Sequence, residues 1–330
     1  MGIKLSLLAV LALVLVAFVG VKAAGMSYLF GVTVPYLAFV LFLGGFTYRV
    51  LKWARSPVPF RIPTTSGQQK SLPWVKPNKL DNPSTKLATV GRMALEVLLF
   101  RSLFKNTKME FLDGPKITYQ WEKWLWLAGL AFHYSFFVIV IRHLRFFTEP
   151  VPGFVHLTES LDGFLQVGLP GLYLTDLVFL AAVTYLFIRR VVIPQVRYIS
   201  LPADYFPLFL LLGLGITGVL MRYFWKVDII KVKELAMSLA TLRPAVPDGI
   251  GVLFFIHLFL VSTLIAYFPF SKLMHLGGIF LSPTRNLPND SRIRRHVNPW
   301  NYPVKVHTYE EYEDDFREKM IEAGLPVEKE

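Results

Sequence analysis

His133 and His143 lie ten residues apart inside an apolar run over residues 132–143, and His257 and His275 lie eighteen residues apart around a second apolar run. An ionisable side chain inside a bilayer costs a few kcal/mol, so it usually marks a functional site. Neutral imidazole is a common axial ligand of haem iron, and helical bundles build such sites from side chains on facing helices. The four histidines therefore predict two bis-histidine b haems held between two helices.

The composition is typical of a membrane protein that crosses the bilayer several times. Of the 330 residues, 54% are hydrophobic and 15% aromatic, and the apolar residues form blocks long enough to span a bilayer. The net charge of +12 comes from loops that flank these blocks, where it sets membrane orientation, and it does not indicate nucleic-acid binding. The chain has no cysteine, so cysteine-ligated iron–sulfur clusters, covalent c-type haem and disulfides are excluded.

The apolar blocks predict an all-α bundle of about six transmembrane helices. They cover residues 5–21, 28–50, 124–146, 171–193, 207–225 and 250–273. The first block could also be read as a signal peptide, because residues 21–23 resemble a cleavage site, but we expect a retained helix. The predicted organisation is two N-terminal helices (1–52), a cytoplasmic loop (53–123), a four-helix dihaem core (124–275) and a cytoplasmic tail (276–330).

The charge distribution predicts that both termini lie in the cytoplasm, with the chain in the cytoplasmic (inner) membrane. Residues 49–123 contain fourteen Lys or Arg and five Asp or Glu, whereas residues 147–170 contain no Lys or Arg. Prolines in residues 56–74 predict an irregular loop. Residues 87–104 have helical periodicity and predict an interfacial or partner-docking helix, with a flexible basic loop as the alternative.

The directions of the helices predict how the histidines pair. The third and sixth spans run in opposite directions, so His133 and His275 should hold the inner haem iron, and His143 and His257 the outer one. The spacings correspond to about 15 Å and about 27 Å along a regular helix, which do not match. Pro269 lies between the last two histidines, and we expect it to kink or end that helix and so reduce the mismatch.

Charged residues near the helix ends are candidates for contacts with the cofactors and the substrate. Haem propionates need cations, and Arg142, Arg145 and Arg222 lie near the outer ends, with Arg189, Arg190 and Lys272 near the inner ends. Snorkelling to the interface is the alternative role for each. A quinol also needs a base within hydrogen-bond reach. The titratable groups nearest the outer end are Glu149, His156, Glu159 and Asp162, and we predict them as proton acceptors, although loop carboxylates can simply reflect membrane orientation. His296 and His307 read as ordinary surface histidines.

The two histidine spacings resemble the nitrate reductase gamma-like superfamily of dihaem cytochromes b and differ from the spacing of about thirteen or fourteen in cytochrome bc-type proteins. Over the whole chain, the histidine pairs, the extra N-terminal span and the proline-rich loop resemble the DsrM family, the membrane cytochromes b of sulfite-reductase-associated complexes. The nitrate reductase family has a quinol-binding lysine near the outer haem, and residues 147–170 contain none.

The resemblance implies an electron-transfer subunit of a quinol-oxidising complex in dissimilatory sulfur metabolism. Menaquinol would be the donor and a cytoplasmic iron–sulfur subunit of the heterodisulfide-reductase-like, DsrK type the acceptor. The resemblance also allows further subunits in the complex, namely other membrane subunits and periplasmic cytochrome c and iron–sulfur subunits. A cytochrome b of a related heterodisulfide reductase or nitrate reductase complex is the nearest alternative. Two other classes remain open at this point, a proton-relaying transporter and a structural anchor for a soluble partner.

Overall fold

The computed structural model describes residues 2–57, 67–114, 116–163, 171–293 and 306–329. The α-helices in chain order are α1 (Gly2–Lys22), α2 (Val34–Ala54), α3 (Lys86–Leu99), α4 (Arg101–Phe104), α5 (Lys123–His143), α6 (Gly153–Asp162), α7 (Leu174–Val192), α8 (Pro194–Tyr198), α9 (Pro202–Val219), α10 (Ile229–Ala240), α11 (Val252–Tyr267), α12 (His275–Leu281), α13 (Pro283–Asn286) and α14 (Tyr309–Glu322). The strands are β1 (Thr107–Leu112) and β2 (Lys116–Trp121).

Short turns of other helix types extend several of the long helices. π-Helical turns at Leu29–Thr33 and Leu220–Phe224 precede α2 and follow α9, and a 3₁₀ turn at Leu144–Phe146 follows α5. Two more 3₁₀ turns, Phe268–Phe270 and Lys272–Met274, separate α11 from α12.

Five helices within the described ranges are long and apolar enough to cross a membrane. They are Gly2–Lys22, Leu29–Ala54, Lys123–Phe146, Pro202–Phe224 and Val252–Phe270. The chain is therefore an integral membrane protein with a mostly helical fold, as the sequence predicts. The predicted fourth span corresponds to α7, which has 19 residues but carries Asp176 in its first turn and Arg189 and Arg190 in its last.

Polar contacts at the two ends of the bundle show how the helices run. At one end Arg189 of α7 pairs with Glu122, which precedes α5, at 3.1 Å. At the other end Arg142 of α5 pairs with Asp176 of α7 at 2.5 Å. Because α7 reaches the same two ends as α5 in the opposite direction, it is placed like a sixth spanning helix. We call the end with Glu122 the inner end and the end with Arg142 the outer end.

The core lies where α1, α7, α9 and α11 meet. Phe179, Leu210, Phe255 and Leu260 are almost fully buried there. Close packing of α7 against α9 depends on Gly215, where an added Cβ would lie 2.6 Å from the side chain of Leu180. Small residues that let helices approach are typical of membrane bundles, in which packing rather than the hydrophobic effect drives helix association.

A β-hairpin interrupts the predicted all-helical pattern immediately before α5. β1 pairs antiparallel with β2, from Thr107 opposite Trp121 to Leu112 opposite Lys116. The sequence contains a signal for it, because apolar and polar residues alternate on both sides of Asp113-Gly114, a dipeptide that favours hairpin turns, and Gly114 has a positive φ of 83°. The prediction treated this stretch as part of a loop and missed the hairpin.

The predicted helix over residues 87–104 is present but divided. It forms α3 and α4, which are separated by Phe100 in the left-handed conformation, with φ 49° and ψ 46°. The flexible-loop alternative is therefore wrong for this segment. Part of the predicted proline-rich loop (58–66) and His296 lie outside the described residues.

Candidate haem and quinol site

The inner histidines meet between α5 and the start of α12. The ring centroids of His133 and His275 lie 5.8 Å apart, with the ring planes nearly perpendicular. Metal–nitrogen bonds are about 2 Å long and each ring centroid lies about 1 Å behind its nitrogen, so two imidazoles that held one metal ion would have centroids up to about 6 Å apart. The spacing of His133 and His275 therefore suits one iron atom between them.

A break after α11 brings His275 to this position. The regular helix ends at Tyr267, Pro269 lies in the following 3₁₀ turn, and Ser271 is extended, with φ −117° and ψ 179°. Pro269 thus ends the regular helix, as the sequence predicts. A continuous helix would place His275 about 27 Å from His257 along one straight axis, whereas the break lets the chain change direction before His275.

The outer histidines lie at the opposite end of the same helices. His143 is the last residue of α5, and His257 lies in the second turn of α11. The two side chains are close enough to interact electrostatically. The structure therefore places His133 beside His275, and His143 and His257 at the other level of the bundle; that each pair holds one haem stays a prediction.

Three of the four imidazoles share one hydrogen-bonding arrangement. The Nδ1 atoms of His133 and His143 lie 2.7 Å from the carbonyl oxygens of Gly129 and Ile139, and Nδ1 of His275 lies 3.0 Å from that of Lys272. A carbonyl can only accept, so each Nδ1 carries the proton and donates it. Nε2 is then the nitrogen with a free lone pair, which is the form that binds a metal.

Thr217 of α9 sets the same form for His257. The Thr217 hydroxyl lies 2.8 Å from Nδ1 of His257 and 2.8 Å from the carbonyl oxygen of Gly213. Its single proton goes to the carbonyl, so the oxygen accepts from His257 Nδ1–H. All four histidines thus present Nε2 as a ligand, and the donor set fits two bis-histidine haems.

We expect Thr217→Val to weaken binding at the outer site about ten- to a hundredfold, because such hydrogen-bond partners of metal ligands contribute about that much to affinity. The assay is transfer of haem from the purified protein to an excess of a haem-scavenging apoprotein. Thr263→Val is the matched control, since the Thr263 hydroxyl donates only to the carbonyl of Phe259 on the same helix. Equal haem loss in both variants would contradict the role of Thr217.

A buried ionic cluster lies beside His143 at the outer end. Nε of Arg142 lies 3.0 Å from Asp162, and Nη2 lies 2.5 Å from Asp176. Asp162 also accepts from the backbone N–H and the hydroxyl of Thr175, at 2.9 and 2.6 Å. The guanidinium of Arg142 stacks on Tyr173 at 3.9 Å. Two carboxylates therefore neutralise Arg142, and Asp162 helps to fix it in place.

The remaining predicted outer residues form two further groups. Arg222 stacks on Tyr173 at 3.9 Å and donates to the carbonyl of Gly171 at 3.3 Å. Arg145 pairs with Glu159 at 2.9 Å, and the exposed His156 lies 3.9 Å from the same carboxylate. At the inner end, the predicted cations also have polar partners, in the pairs Arg189–Glu122, Arg190–Ser200 and Lys272–Asp204.

Lys233 is a candidate site residue that the sequence analysis missed. It lies on α10, pairs with Glu149, and belongs to a helix that packs against the 3₁₀ turn following His143. Residues 147–170 contain no lysine, but Lys233, from the segment between α9 and α11, lies beside Glu149 of that stretch. Glu149 and Lys233 meet because α7 and α9 run antiparallel and return the chain to the same end of the bundle. The spacing of the two residues along the sequence therefore does not predict their contact.

The fold and the paired histidines define a membrane cytochrome b type of protein, and the comparison of sequences agrees. The nitrate reductase gamma subunit family matches residues 104–294, so the chain belongs to that family. It is 49% identical over 280 residues to an Hdr-like menaquinol oxidoreductase cytochrome b-like subunit of Archaeoglobus fulgidus, covering 83% of each chain. A protein of the same description from Archaeoglobus profundus is 47% identical over 274 residues, covering 81% of each chain.

Proposed function

We propose that the chain is a dihaem cytochrome b subunit that passes electrons from menaquinol at the outer end to an iron–sulfur subunit at the inner end. The observation that carries this proposal is the set of four imidazoles, paired at two levels, each with Nδ1 engaged and Nε2 left as a ligand. Menaquinol as donor is supported by the names of both relatives. When bound, the haems would supply one-electron redox chemistry across the bilayer.

Each histidine pair has its own supports in the protein. Gly129 and Lys272 orient the inner pair through their carbonyls, and Ile139 and Thr217 orient the outer pair. These supports come from backbone and side chains inside the bundle and would hold each imidazole in the orientation that binding needs. Such preorganisation favours tight binding of a rigid, planar ligand.

We place quinol oxidation beside Lys233 and Glu149. Oxidation of one menaquinol releases two electrons and two protons, so the site needs a group that orients the hydroxyl and a base that accepts its proton. The Lys233 ammonium can donate to the quinol oxygen, and the Glu149 side chain, 64% exposed, is free to release a proton to the outside. Among the four predicted acceptors Glu149 suits this role best, since arginines hold both Asp162 and Glu159.

The inner end would face the cytoplasm and the acceptor. With six crossings both termini lie on one side, and the basic residues of 49–123 support placing that side in the cytoplasm, with the chain in the inner membrane. The Hdr-like description of the relatives supports a heterodisulfide-reductase-like iron–sulfur partner. We extend this to a DsrK-type partner and dissimilatory sulfur metabolism on the resemblance to the DsrM family. A related heterodisulfide reductase complex is the alternative, and the identity of the co-purifying subunit distinguishes them.

A reduced-minus-oxidised spectrum with a pyridine haemochrome assay tests the proposal. We expect protohaem at about two per chain and reduction of both components by a menaquinol analogue. A proton-relaying transporter would contain no haem, and a structural anchor would bind haem that menaquinol does not reduce. Either result would contradict electron transfer through this chain.

A further inference from the structure

Helix α3 buries its polar side and exposes its apolar side. Thr89, Arg92 and Glu96 are 4%, 4% and 8% exposed, whereas Leu87, Val90 and Leu98 are 83%, 65% and 56% exposed. Within each set the residues are three, four, seven, eight or eleven positions apart, which is close to a whole number of helical turns, so the two sets form opposite stripes. A surface helix of a water-soluble protein has the reverse orientation. Contact of this stripe with an apolar neighbour would be more favourable than contact with water.

Specific contacts fix this orientation from the polar side. Arg92 donates to the carbonyl of Thr284 at 3.3 Å, and Glu96 pairs with Arg285 at 3.3 Å. Glu96 also accepts from the backbone N–H of Ser102 at 3.1 Å. Rotating the helix to expose these groups would break each contact. The outward position of the apolar stripe is thus set by the polar contacts of α3 with α13 and α4.

Asp81 fastens the segment that follows α3. It pairs with Arg101 at 3.2 Å and with Lys105. Burial raises the pKa of Asp81, but the hydrogen bonds from Lys105 and Arg101 outweigh burial, so its pKa lies below the usual value. The carboxylate remains ionised at neutral pH and holds α4 against the preceding loop.

Two hydrogen bonds from α5 place the end of α3 beside a membrane span. The Trp126 indole donates to the carbonyl of Leu99 at 2.7 Å, and the Tyr134 hydroxyl donates to that of Leu98 at 2.9 Å. Trp126 and Tyr134 lie about 4.5 Å and about 16 Å along the helix from Lys123, its first residue. The end of α3 therefore lies beside the inner half of this span. At this contact the outward surface of α3 meets that of α5, because Leu98 and Tyr134 are 56% and 48% exposed and are joined by the hydrogen bond.

We propose that α3 lies in the leaflet at the inner end, with the stripe of Leu87, Val90 and Leu98 in contact with lipid acyl chains. Continuity with the outward surface of a span favours lipid, and so does composition. Protein-binding hot spots are enriched in Trp, Tyr and Arg and poor in Leu and Val, and this stripe is entirely aliphatic. Phe100, which directly follows α3, contacts the His133 ring, with centroids 5.0 Å apart. The proposed lipid-facing helix therefore adjoins the inner haem site.

Spin labelling tests this directly, because the natural chain has no cysteine and single-cysteine variants need no background changes. Val90→Cys and Leu98→Cys are labelled in the full-length protein with its co-purifying subunits, in nanodiscs of mixed neutral and anionic phospholipid. Collisions with oxygen, which dissolves in lipid, are compared with collisions with a water-soluble nickel chelate. Phe137→Cys on α5 provides the lipid reference and Lys79→Cys the reference for the cytoplasmic loop.

We expect both α3 labels to match Phe137→Cys, with high oxygen and low nickel accessibility. Low accessibility to both reagents would show that a protein partner covers α3, and high nickel accessibility would show a water-exposed helix; either result overturns the proposal. The haem content of each variant reports correct folding, and Leu87→Cys on the same stripe replaces any variant that loses haem. The test does not depend on quinol oxidation, so it can fail while the proposed function holds.

Discussion

Replacing either His143 or His257 with alanine is expected to remove one and the same b-type spectral component, and replacing either His133 or His275 the other. In each variant the haem content should fall from about two per chain to about one, because a bis-histidine site that loses one axial ligand loses half of its protein–metal bonds. The pairing rests on the 5.8 Å between the inner rings and on the proximity of His143 to His257. Low-temperature spectra with redox titration separate the two components.

His156→Ala and His307→Ala are the controls for these variants. Both side chains are exposed, and within the described parts of the chain His156 pairs with Glu159 and His307 with Asp315. Both variants should keep two haems with unchanged spectra. The pairing by depth is wrong if His143→Ala and His257→Ala remove different components.

The histidine pairs could be predicted because they depend on residue type and on the direction of two helices. Ionisable residues are rare in apolar spans, so four histidines stand out without knowledge of contacts. Two spans lie between the two helices, so they run antiparallel, and this predicts which histidine faces which. The end of the regular helix at Pro269 could also be predicted, since proline disrupts a regular helix.

The supports of these histidines could not be predicted from the sequence. Thr217 reaches His257 across forty positions in the chain, and that contact depends on the rotation of α9 about its own axis. The Lys233–Glu149 pair likewise joins two segments that are far apart in the sequence. For α3, periodicity showed an amphipathic helix but gave no information on which stripe faces the protein. Contacts with Thr284 and Arg285, nearly two hundred residues away in the sequence, determine which stripe of α3 faces the protein.

Glu149→Gln is expected to lower the rate of menaquinol-dependent haem reduction by at least about tenfold, because a positioned base typically contributes about 10²–10⁴ to a proton transfer. Lys233→Met should lower it as well, since the ammonium orients the quinol. Haem content and reduction by dithionite should stay unchanged in both, because neither residue contacts a haem ligand. Stopped-flow spectra with a menaquinol analogue measure the rate.

Lys231→Met provides the matched control on the same helix. Lys231 lies two residues from Lys233, but its ammonium lies about 3.0 Å from the position that a Cβ on Gly249 would occupy, away from Glu149. The Lys231→Met substitution removes one positive charge from α10, as Lys233→Met does. A general electrostatic effect on quinol binding would therefore appear equally in both lysine variants. A loss confined to Lys233→Met and Glu149→Gln assigns the effect to the pair itself.

Proteoliposomes with a soluble acceptor inside then locate the site in the membrane. If menaquinol is oxidised beside Glu149, protons are released outside while electrons move inward, so turnover acidifies the medium and generates a membrane potential. Glu149→Gln should slow acidification and electron transfer together, because one proton acceptor serves both. Quinol-driven reduction of the internal acceptor without external acidification would place the oxidation site at the inner end, next to His133 and His275.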